Sequence, residues 1–356
     1  MKKIILFLLL SVAGFGQFPS PNNLPKTDRG NFILQDTTKI LGFGKDTDEY
    51  GFRQNNGSIE YRNRAGNWLP IYAATSANID TLIFYASLVD TNSNPPFRMS
   101  INAASVTISM KGTGLIRVLW GDGTYSDSLL TSTAKNITHT YASSAARNIV
   151  IYNAAKITYW SCSDNAAYNF DWAQTNRMRL TAFYCSGSNT LSGTLSLPAS
   201  MTTFVCYGSN TLSGALSLPT SMTYFYCSGS NTLSGALSLP ASMTYFYCSG
   251  SNTLSGTLSL PASMTTFVCY GSNTLSGYTT QAFSNNINYF YLITTSGTGF
   301  SAAEVDQLII DLDGSAWAGD SRTLRMSGAV VAAPTATSAA ARASLTGKSV
   351  TQTYTP

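Results

Sequence analysis

The chain has 356 residues, of which 44% are hydrophobic and only 11% are charged, and its formal net charge is +4. This length allows more than one folded unit. The basic residues form no cluster that could follow a phosphate backbone, which argues against a nucleic-acid partner. Between Leu180 and Ala303 there is no charged residue, so a partner of this part must be recognised by hydrogen bonds, shape and aromatic surface.

Residues 1–16 have the pattern of a secretory signal peptide. Lys2 and Lys3 precede a short apolar run, and small residues follow at a suitable cleavage site. The run is too short to cross a bilayer, and no later segment is long and apolar enough to do so. No cysteine lies near the cleavage site to carry a lipid anchor. We therefore expect a secreted or cell-surface bacterial protein without membrane insertion after signal cleavage.

Residues 17–75 are charged and rich in turns, and we expect a β-rich amino-terminal region. Ser58–Arg62 and Trp68–Tyr72 flank a turn and predict a hairpin. The segment loosely resembles β-rich pieces of phage-tail and bacterial surface proteins. One acidic cluster could be either a calcium site or a solvated turn. It lacks the glycine and the distal glutamate of an EF-hand loop, which favours the turn. That cluster is Asp46, Asp48 and Glu49.

Residues 76–156 alternate between apolar and polar side chains as strands do. The run Trp120-Gly121-Asp122-Gly123-Thr124, followed by His139-Thr140-Tyr141, resembles the polycystic-kidney-disease-type β-sandwich. The resemblance implies a sandwich-like β domain that caps the next part of the chain, with Asp122 and Gly123 in a tight turn. The usual Gly-x-Tyr after the His-Thr-Tyr is replaced by other residues. His139 is therefore interpreted as a hydrogen-bonded structural residue rather than a catalytic one.

Residues 157–299 are dominated by a tandem repeat. Successive cysteines from Cys185 to Cys269 are 21 residues apart, and a fixed period of this size is typical of stacked coils. Irregular coils at both ends bring the number to seven. Within a coil such as Met201 to Leu218, the apolar residues around the cysteine alternate as on a short strand, so we expect Phe204 and Cys206 to face a shared core.

The repeat Pro-x-x-Met-x-x-Phe-x-Cys-x-x-x-Asn-x-Leu resembles the leucine-rich repeat, particularly the short bacterial kind with Leu-Pro before the strand. The resemblance implies a curved parallel sheet, a recognition role and a ladder of asparagines. Phe and Cys replace the usual leucines, and one extra residue precedes the asparagine, so the turn geometry differs from the family pattern. The expected asparagine ladder is Asn189, Asn210, Asn231, Asn252 and Asn273.

The cysteines allow two interpretations. Six cysteines in an exported chain ordinarily indicate disulfides. These occupy the same inward slot of successive strands, however, so their Cβ vectors should run parallel rather than towards each other. Buried free thiols that act as small apolar fillers are favoured, and pairing of some neighbours is the alternative. The cysteine ladder consists of Cys162, Cys185, Cys206, Cys227, Cys248 and Cys269.

Residues 300–356 should form a helix-containing end cap. Ser301 and Glu304 have the spacing of a capping box at the start of a helix that ends near Gly314. The acids before Gly314 are interpreted as a helix end rather than a metal loop. A strand around Leu324 and Met326, a helix over Ala336–Leu345 and a strand over Val350–Tyr354 are expected to follow.

Catalytic residues, a metal site and a cofactor are not predicted. The chain has one histidine, no Gly-x-Ser-x-Gly elbow, no Cys-x-x-Cys pair and no paired catalytic Cys and His. The fold class that we expect is mainly β: a parallel solenoid of leucine-rich-repeat-like coils with an amino-terminal sandwich-like cap and a carboxy-terminal α/β cap.

The outward strand slots carry tyrosines. A coil with two tyrosines before its cysteine has Ser after it, whereas a coil with Thr and Val there has Tyr after it. Such tyrosines either stabilise cross-strand pairs or form a binding face. The predicted face contains Tyr184, Tyr207, Tyr224, Tyr226, Tyr245, Tyr247, Tyr270, Tyr289 and Tyr291.

We therefore expect non-catalytic recognition or adhesion, with a protein or a polysaccharide at a cell surface as the partner. The alternative is a structural stalk or phage-tail-like fibre component. A third hypothesis is ice binding, because a regular hydroxyl array could order water. The oligomeric state is left open. The array would be formed by Thr190, Thr211, Thr232, Thr253 and Thr274.

Overall fold

The structure is a computed structural model that describes residues 40–42, 51–55, 58–62, 68–70, 96–163, 165–283, 287–295, 297–319, 322–328 and 331–355. The chain divides into two compact units, residues 1–94 and 95–356. The predicted signal peptide and the acidic cluster at residues 46–49 lie outside the described residues.

The described part of the first unit is an antiparallel sheet of four short strands in sequential order. The predicted hairpin is confirmed, because Tyr61 pairs with Leu69 across its two strands. The strands are β1 (Ile40–Gly42), β2 (Gly51–Asn55), β3 (Ser58–Arg62) and β4 (Trp68–Pro70).

The second unit begins with four antiparallel strands that pair in the order β5-β8-β6-β7. Strand β5 also pairs with the first solenoid strand through residues such as Met110, which lies opposite Trp160. The antiparallel strands are therefore hydrogen-bonded into the same sheet as the solenoid. The four are β5 (Phe97–Gly112), β6 (Gly114–Leu119), β7 (Tyr125–Leu130) and β8 (Lys135–Tyr152).

The turn between β6 and β7 holds the single histidine in place. Asp122 accepts hydrogen bonds from the Thr124 hydroxyl at 2.6 Å and from the His139 ring at 2.7 Å. These two bonds lower the pKa of Asp122 well below its usual range. The His139 ring stacks on Trp120, with 4.9 Å between centroids. His139 is thus hydrogen-bonded at the rim of the cap.

Among the described residues, the solenoid contains seven parallel strands, one for each of the seven coils counted from the sequence. The chain makes about six turns between the first of these strands and the last. Equivalent residues lie directly opposite each other, as Cys206 and Cys227 do. The strands are β9 (Ile157–Ser161), β11 (Ala182–Cys185), β13 (Thr203–Cys206), β15 (Tyr224–Cys227), β17 (Tyr245–Cys248), β19 (Thr266–Cys269) and β21 (Tyr289–Ile293).

The predicted apolar interior is confirmed. The Phe225 and Phe246 rings stack with centroids 5.5 Å apart, and the same stack continues from Phe183 to Phe290. The methionine, cysteine and first leucine of each regular coil are buried beside it. Each buried phenylalanine contributes about 1.5–3 kcal/mol. Since neighbouring coils supply the contacts on both sides, the coils stabilise one another.

A second parallel sheet forms the opposite wall. Its strands are staggered, so that Thr211 lies opposite Ser192 rather than opposite the preceding threonine. The threonines of the proposed hydroxyl array therefore do not face one another across this sheet. The strands are β12 (Ser192–Thr194), β14 (Thr211–Ala215), β16 (Thr232–Ala236), β18 (Thr253–Ser259) and β20 (Thr274–Thr279).

The first coil makes a longer return than the regular ones. Strand β10 (Ala167–Phe170) pairs antiparallel with β5, and a short helix α1 (Trp172–Thr175) follows it. The Phe170 ring packs edge-on against Phe97 at 4.4 Å and Phe183 at 5.1 Å. This aromatic cluster joins the cap core to the solenoid core.

The end cap has the predicted order of elements. Helix α2 (Ala302–Asp313) begins with the predicted capping box between Ser301 and Glu304. Strand β22 (Thr323–Ser327), helix α3 (Ala339–Gly347) and strand β23 (Thr351–Thr355) follow, and both strands continue the parallel sheet. Within the described ranges, no helix is long and apolar enough to cross a membrane.

Candidate functional site: a tyrosine-lined groove

The predicted tyrosines lie on the outer face of the large sheet, but their exposure differs. Tyr207 and Tyr270 are 45% and 46% exposed, whereas the other seven are partly buried. The two exposed tyrosines occupy equivalent slots three coils apart. Since parallel strands are about 4.8 Å apart, roughly 14 Å separates their backbones.

The central tyrosines form two stacked columns. The Tyr224 and Tyr245 rings are 4.2 Å apart with planes inclined by 11°, and the Tyr226 and Tyr247 rings are 4.4 Å apart with planes inclined by 13°. The two tyrosines of each pair lie on neighbouring strands. Their ring planes are therefore roughly perpendicular to the direction in which the strands stack. Their inner faces cover each other, and their outer faces look along the solenoid.

The two Thr-Val coils interrupt these columns with smaller side chains. On β19, Thr266 and Val268 are only 6% and 2% exposed. Each of them lies between tyrosines of the two neighbouring strands. On β13, Thr203 and Val205 stay half-buried. The β13 coil therefore forms a shallow open depression in the face.

We call this depression the tyrosine groove. Thr203 and Val205 form its floor, Tyr184 lies on the strand to one side, and Tyr224 and Tyr226 lie on the strand to the other. Tyr207 stands at its end and contacts the Tyr226 ring edge-on, with centroids 5.8 Å apart. In the sequence the Thr-Val coils are visible only as a change of tyrosine position, and the groove that they create was missed.

The groove tyrosines are neutral hydrogen-bonding groups. Partial burial raises the pKa of Tyr184 and of Tyr226, with their tyrosine neighbours adding to the effect. These two phenols therefore keep their protons at neutral pH and can both donate and accept hydrogen bonds. No acidic or basic residue occurs in these coils. The groove thus combines ring faces with uncharged hydroxyl groups, a chemistry suited to neutral partners.

The asparagine ladder lies in the interior and does not contribute to this face. All five asparagines are fully buried. Each side-chain oxygen accepts a backbone N–H from the preceding coil, as Asn231 does from Leu212 at 2.9 Å. Asn189 also donates to the carbonyl oxygens of Cys162 and Ser186. The ladder therefore fixes the turn between the two sheets, which is a structural role.

The cysteine ladder is equally internal. All six thiols are buried and unlinked. Five of them lie opposite one another in successive strands, as expected, but Cys162 departs from the parallel arrangement because its Sγ atom lies 3.0 Å from that of Cys185. Burial raises the pKa of Cys248 to about 12. Burial also raises the pKa of the other in-register thiols, so these five are protonated packing groups.

The described part of the chain shows no candidate metal site. No group of three or more His, Cys, Asp or Glu residues there is arranged to hold a metal ion. The acids at the end of α2 make protein contacts instead, since Asp311 accepts from Tyr278 at 2.9 Å and Asp313 accepts from Lys348 at 2.9 Å.

The fold and the groove define a parallel β-solenoid with an aromatic, uncharged outer face. No protein-family model matches the chain, and no curated protein matches it. Its function must therefore be argued from the geometry of its own surface.

Proposed function

We propose that the protein is a non-catalytic, exported recognition protein that binds a polysaccharide through the tyrosine groove. The observation that carries the proposal is the β13 coil, in which Val205 lies between Tyr184 and Tyr226, and Thr203 lies between the small Ala182 and Tyr224. Sugar rings offer apolar faces that pack on aromatic rings and hydroxyls that pair with neutral phenols. A protein partner with a neutral polar surface is the other occupant that this chemistry allows.

A structural stalk is the second candidate, and the ring stacking favours it. Tyr224 and Tyr245 at 4.2 Å satisfy each other's inner faces, which is what cross-strand pairs do in a purely structural sheet. Near-identical coils also lengthen a stalk without changing its chemistry. Under this candidate the groove tyrosines would have no ligand.

The two candidates are separated by a glycan array with the purified protein, followed by calorimetric titration of any glycan that binds. We expect Tyr207→Ser and Tyr226→Ser each to weaken binding by tenfold or more. The matched control is Tyr125→Ser, which removes a tyrosine that is 57% exposed on the cap and should leave binding unchanged. Equal binding by all three variants would contradict the groove as the site, and the absence of any glycan that binds would favour the stalk.

A further inference from the structure

A second concave site lies where the cap meets the first solenoid coil. The cavity has a volume of about 580 Å³, which falls within the range of small-molecule sites. It is bounded by the start of β5, the end of β8, the β10–α1 segment and strand β12. We call it the junction cleft, and it belongs entirely to the second compact unit.

The floor of the junction cleft is a patch of three strands, β10-β5-β8. Ser100 lies opposite Asn169 on one side and opposite Asn148 on the other. Because side chains alternate along a strand, Arg98 and Asp171 belong to the same outer face. The Ser100 hydroxyl is buried and donates to the side-chain oxygen of Asn148 at 2.9 Å. The patch therefore presents the two amides beside a row that carries one positive and one negative charge.

The two charged residues are neighbours that do not pair. The backbone N–H of Asp171 donates to the carbonyl oxygen of Arg98 at 3.0 Å, so their side chains start from adjacent positions. No ion pair joins them in the described structure. The Arg98 guanidinium makes only a long contact of 3.5 Å to the carbonyl oxygen of Pro96, and the Asp171 carboxylate does not cap the helix that follows it.

The side wall of the cleft is rigid. The Trp172 indole N–H donates to the carbonyl oxygen of Ser192 at 3.1 Å. The ring of Trp172 is only 5% exposed and packs on Phe170 with centroids 4.8 Å apart. Gly193 lies beside this ring, and a Cβ atom there would be in van der Waals contact with it at 3.6 Å. A ligand would therefore enter a preformed site, which reduces the entropy cost of binding.

We infer that the junction cleft binds a neutral sugar unit through Arg98 and Asp171, independently of the tyrosine groove. A guanidinium only donates hydrogen bonds and an ionised carboxylate only accepts them. A sugar hydroxyl does both, so neighbouring hydroxyls of one ring can satisfy the two charges together. The charges of Arg98 and Asp171 cancel. A neutral ligand therefore leaves no unpaired net charge in the cleft. Asn169 and Asn148 supply further hydrogen-bonding groups on the floor of the cleft.

The test is calorimetric titration of the full chain with neutral gluco-, galacto- and manno-oligosaccharides. Arg98→Gln and Asp171→Asn should each weaken binding of the sugar that binds at this cleft by tenfold or more, while Tyr226→Ser leaves it unchanged. The matched control is Arg177→Gln, because Arg177 is exposed nearby and does not line the cleft. Thermal melts check that each variant is folded, and Asn169→Ala replaces any variant that is not.

Several results would overturn the inference. It fails if no oligosaccharide in the panel binds, or if binding ignores both cleft substitutions. Binding that requires a carboxylated sugar and weakens with added salt would mean that the ligand is acidic rather than neutral. Binding that is lost in Tyr226→Ser but kept in Arg98→Gln would assign the sugar to the tyrosine groove alone. Binding that is kept in Tyr226→Ser but lost in Arg98→Gln would support the cleft as the site of this sugar.

Discussion

The sulfur atoms of Cys162 and Cys185 lie 3.0 Å apart, in the interior of the first solenoid coil. Cys185 and Cys206, by contrast, are in-register partners on parallel strands, where side chains run side by side. Cys162 follows the last residue of β9 and so lies outside the regular strand geometry. Cys162 and Cys185 are therefore the two thiols best placed to form a disulfide.

We predict that refolding of the reduced protein in an oxidising glutathione buffer links Cys162 to Cys185 and leaves the other four cysteines as thiols. The sulfur atoms need to move closer by only about 1 Å to reach bonding distance. Peptide mapping by mass spectrometry under non-reducing conditions identifies the product. A disulfide within Cys206 to Cys269, or the absence of any disulfide after prolonged oxidation, would contradict this geometry.

The native thiols should also resist alkylation. Burial raises the pKa of Cys248 to about 12, so almost none of it is the reactive thiolate at pH 8. We expect iodoacetamide to modify fewer than one cysteine per folded molecule and all six after denaturation. Mass spectrometry of the intact protein counts the modified residues. Rapid native modification of Cys248 would show that the solenoid interior opens far more readily than its packing indicates.

The solenoid interior could be predicted from the sequence because a fixed period leaves few arrangements. Phe204 and Cys206 lie two residues apart on a short strand, so alternation alone places both inside. The groove on the outer face depends instead on which neighbouring rings lean over Val205 and Val268, and ring packing across strands is not encoded in spacing. The sequence also did not predict that β5 pairs with the first solenoid strand. The pattern of apolar and polar residues indicates a strand, but it does not show which strands lie on its two sides.

The tyrosine columns should contribute measurably to stability. Tyr245 stacks on Tyr224 at 4.2 Å and also lies 6.4 Å from Tyr226. Loss of such ring contacts costs about 0.5–1.5 kcal/mol beyond the loss of buried area, so Tyr245→Ala should lower the free energy of unfolding by at least that amount. Tyr207→Ala is the control, because its ring is 45% exposed and should change stability little. Urea unfolding followed by circular dichroism measures both variants, and equal losses would argue against the columns.

The asparagine ladder predicts a sharp contrast between two neighbouring residues. Asn231 is fully buried and its side-chain oxygen accepts the backbone N–H of Leu212 at 2.9 Å. Asn231→Ala leaves that N–H buried without a partner, so we expect a loss of about 1–3 kcal/mol. Thr232 is exposed, and Thr232→Ala should stay within about 0.5 kcal/mol of the parent protein. Chemical denaturation tests the pair, and a neutral Asn231→Ala would mean that the turn does not need this bond.

Asp306 anchors the end cap and should make its stability depend on pH. The side chain is buried on α2 and accepts hydrogen bonds from the Ser338 hydroxyl at 2.6 Å and the Thr335 backbone N–H at 2.9 Å. Burial opposes its ionisation, but hydrogen bonds from Ser338 and Thr335 outweigh that effect and lower the pKa of Asp306. A lowered carboxyl pKa gives stability that is complete above the unfolded value of about 4 and is lost as the pH falls through the folded value.

Asp306→Asn should therefore reduce the free energy of unfolding by about 2 kcal/mol at pH 7, because an amide cannot accept all the bonds that the carboxylate accepts. The difference from the parent protein should shrink as the pH is lowered below about 4, since protonation removes the same charge from the parent. Asp171→Asn is the matched control, because that carboxylate does not cap the helix that follows it, and it should change stability by less than about 0.5 kcal/mol. Urea denaturation at several pH values measures the free energy of unfolding of both proteins. If the difference between Asp306→Asn and the parent protein is unchanged at pH 3, the charge of Asp306 is not what holds α2 to the segment before α3.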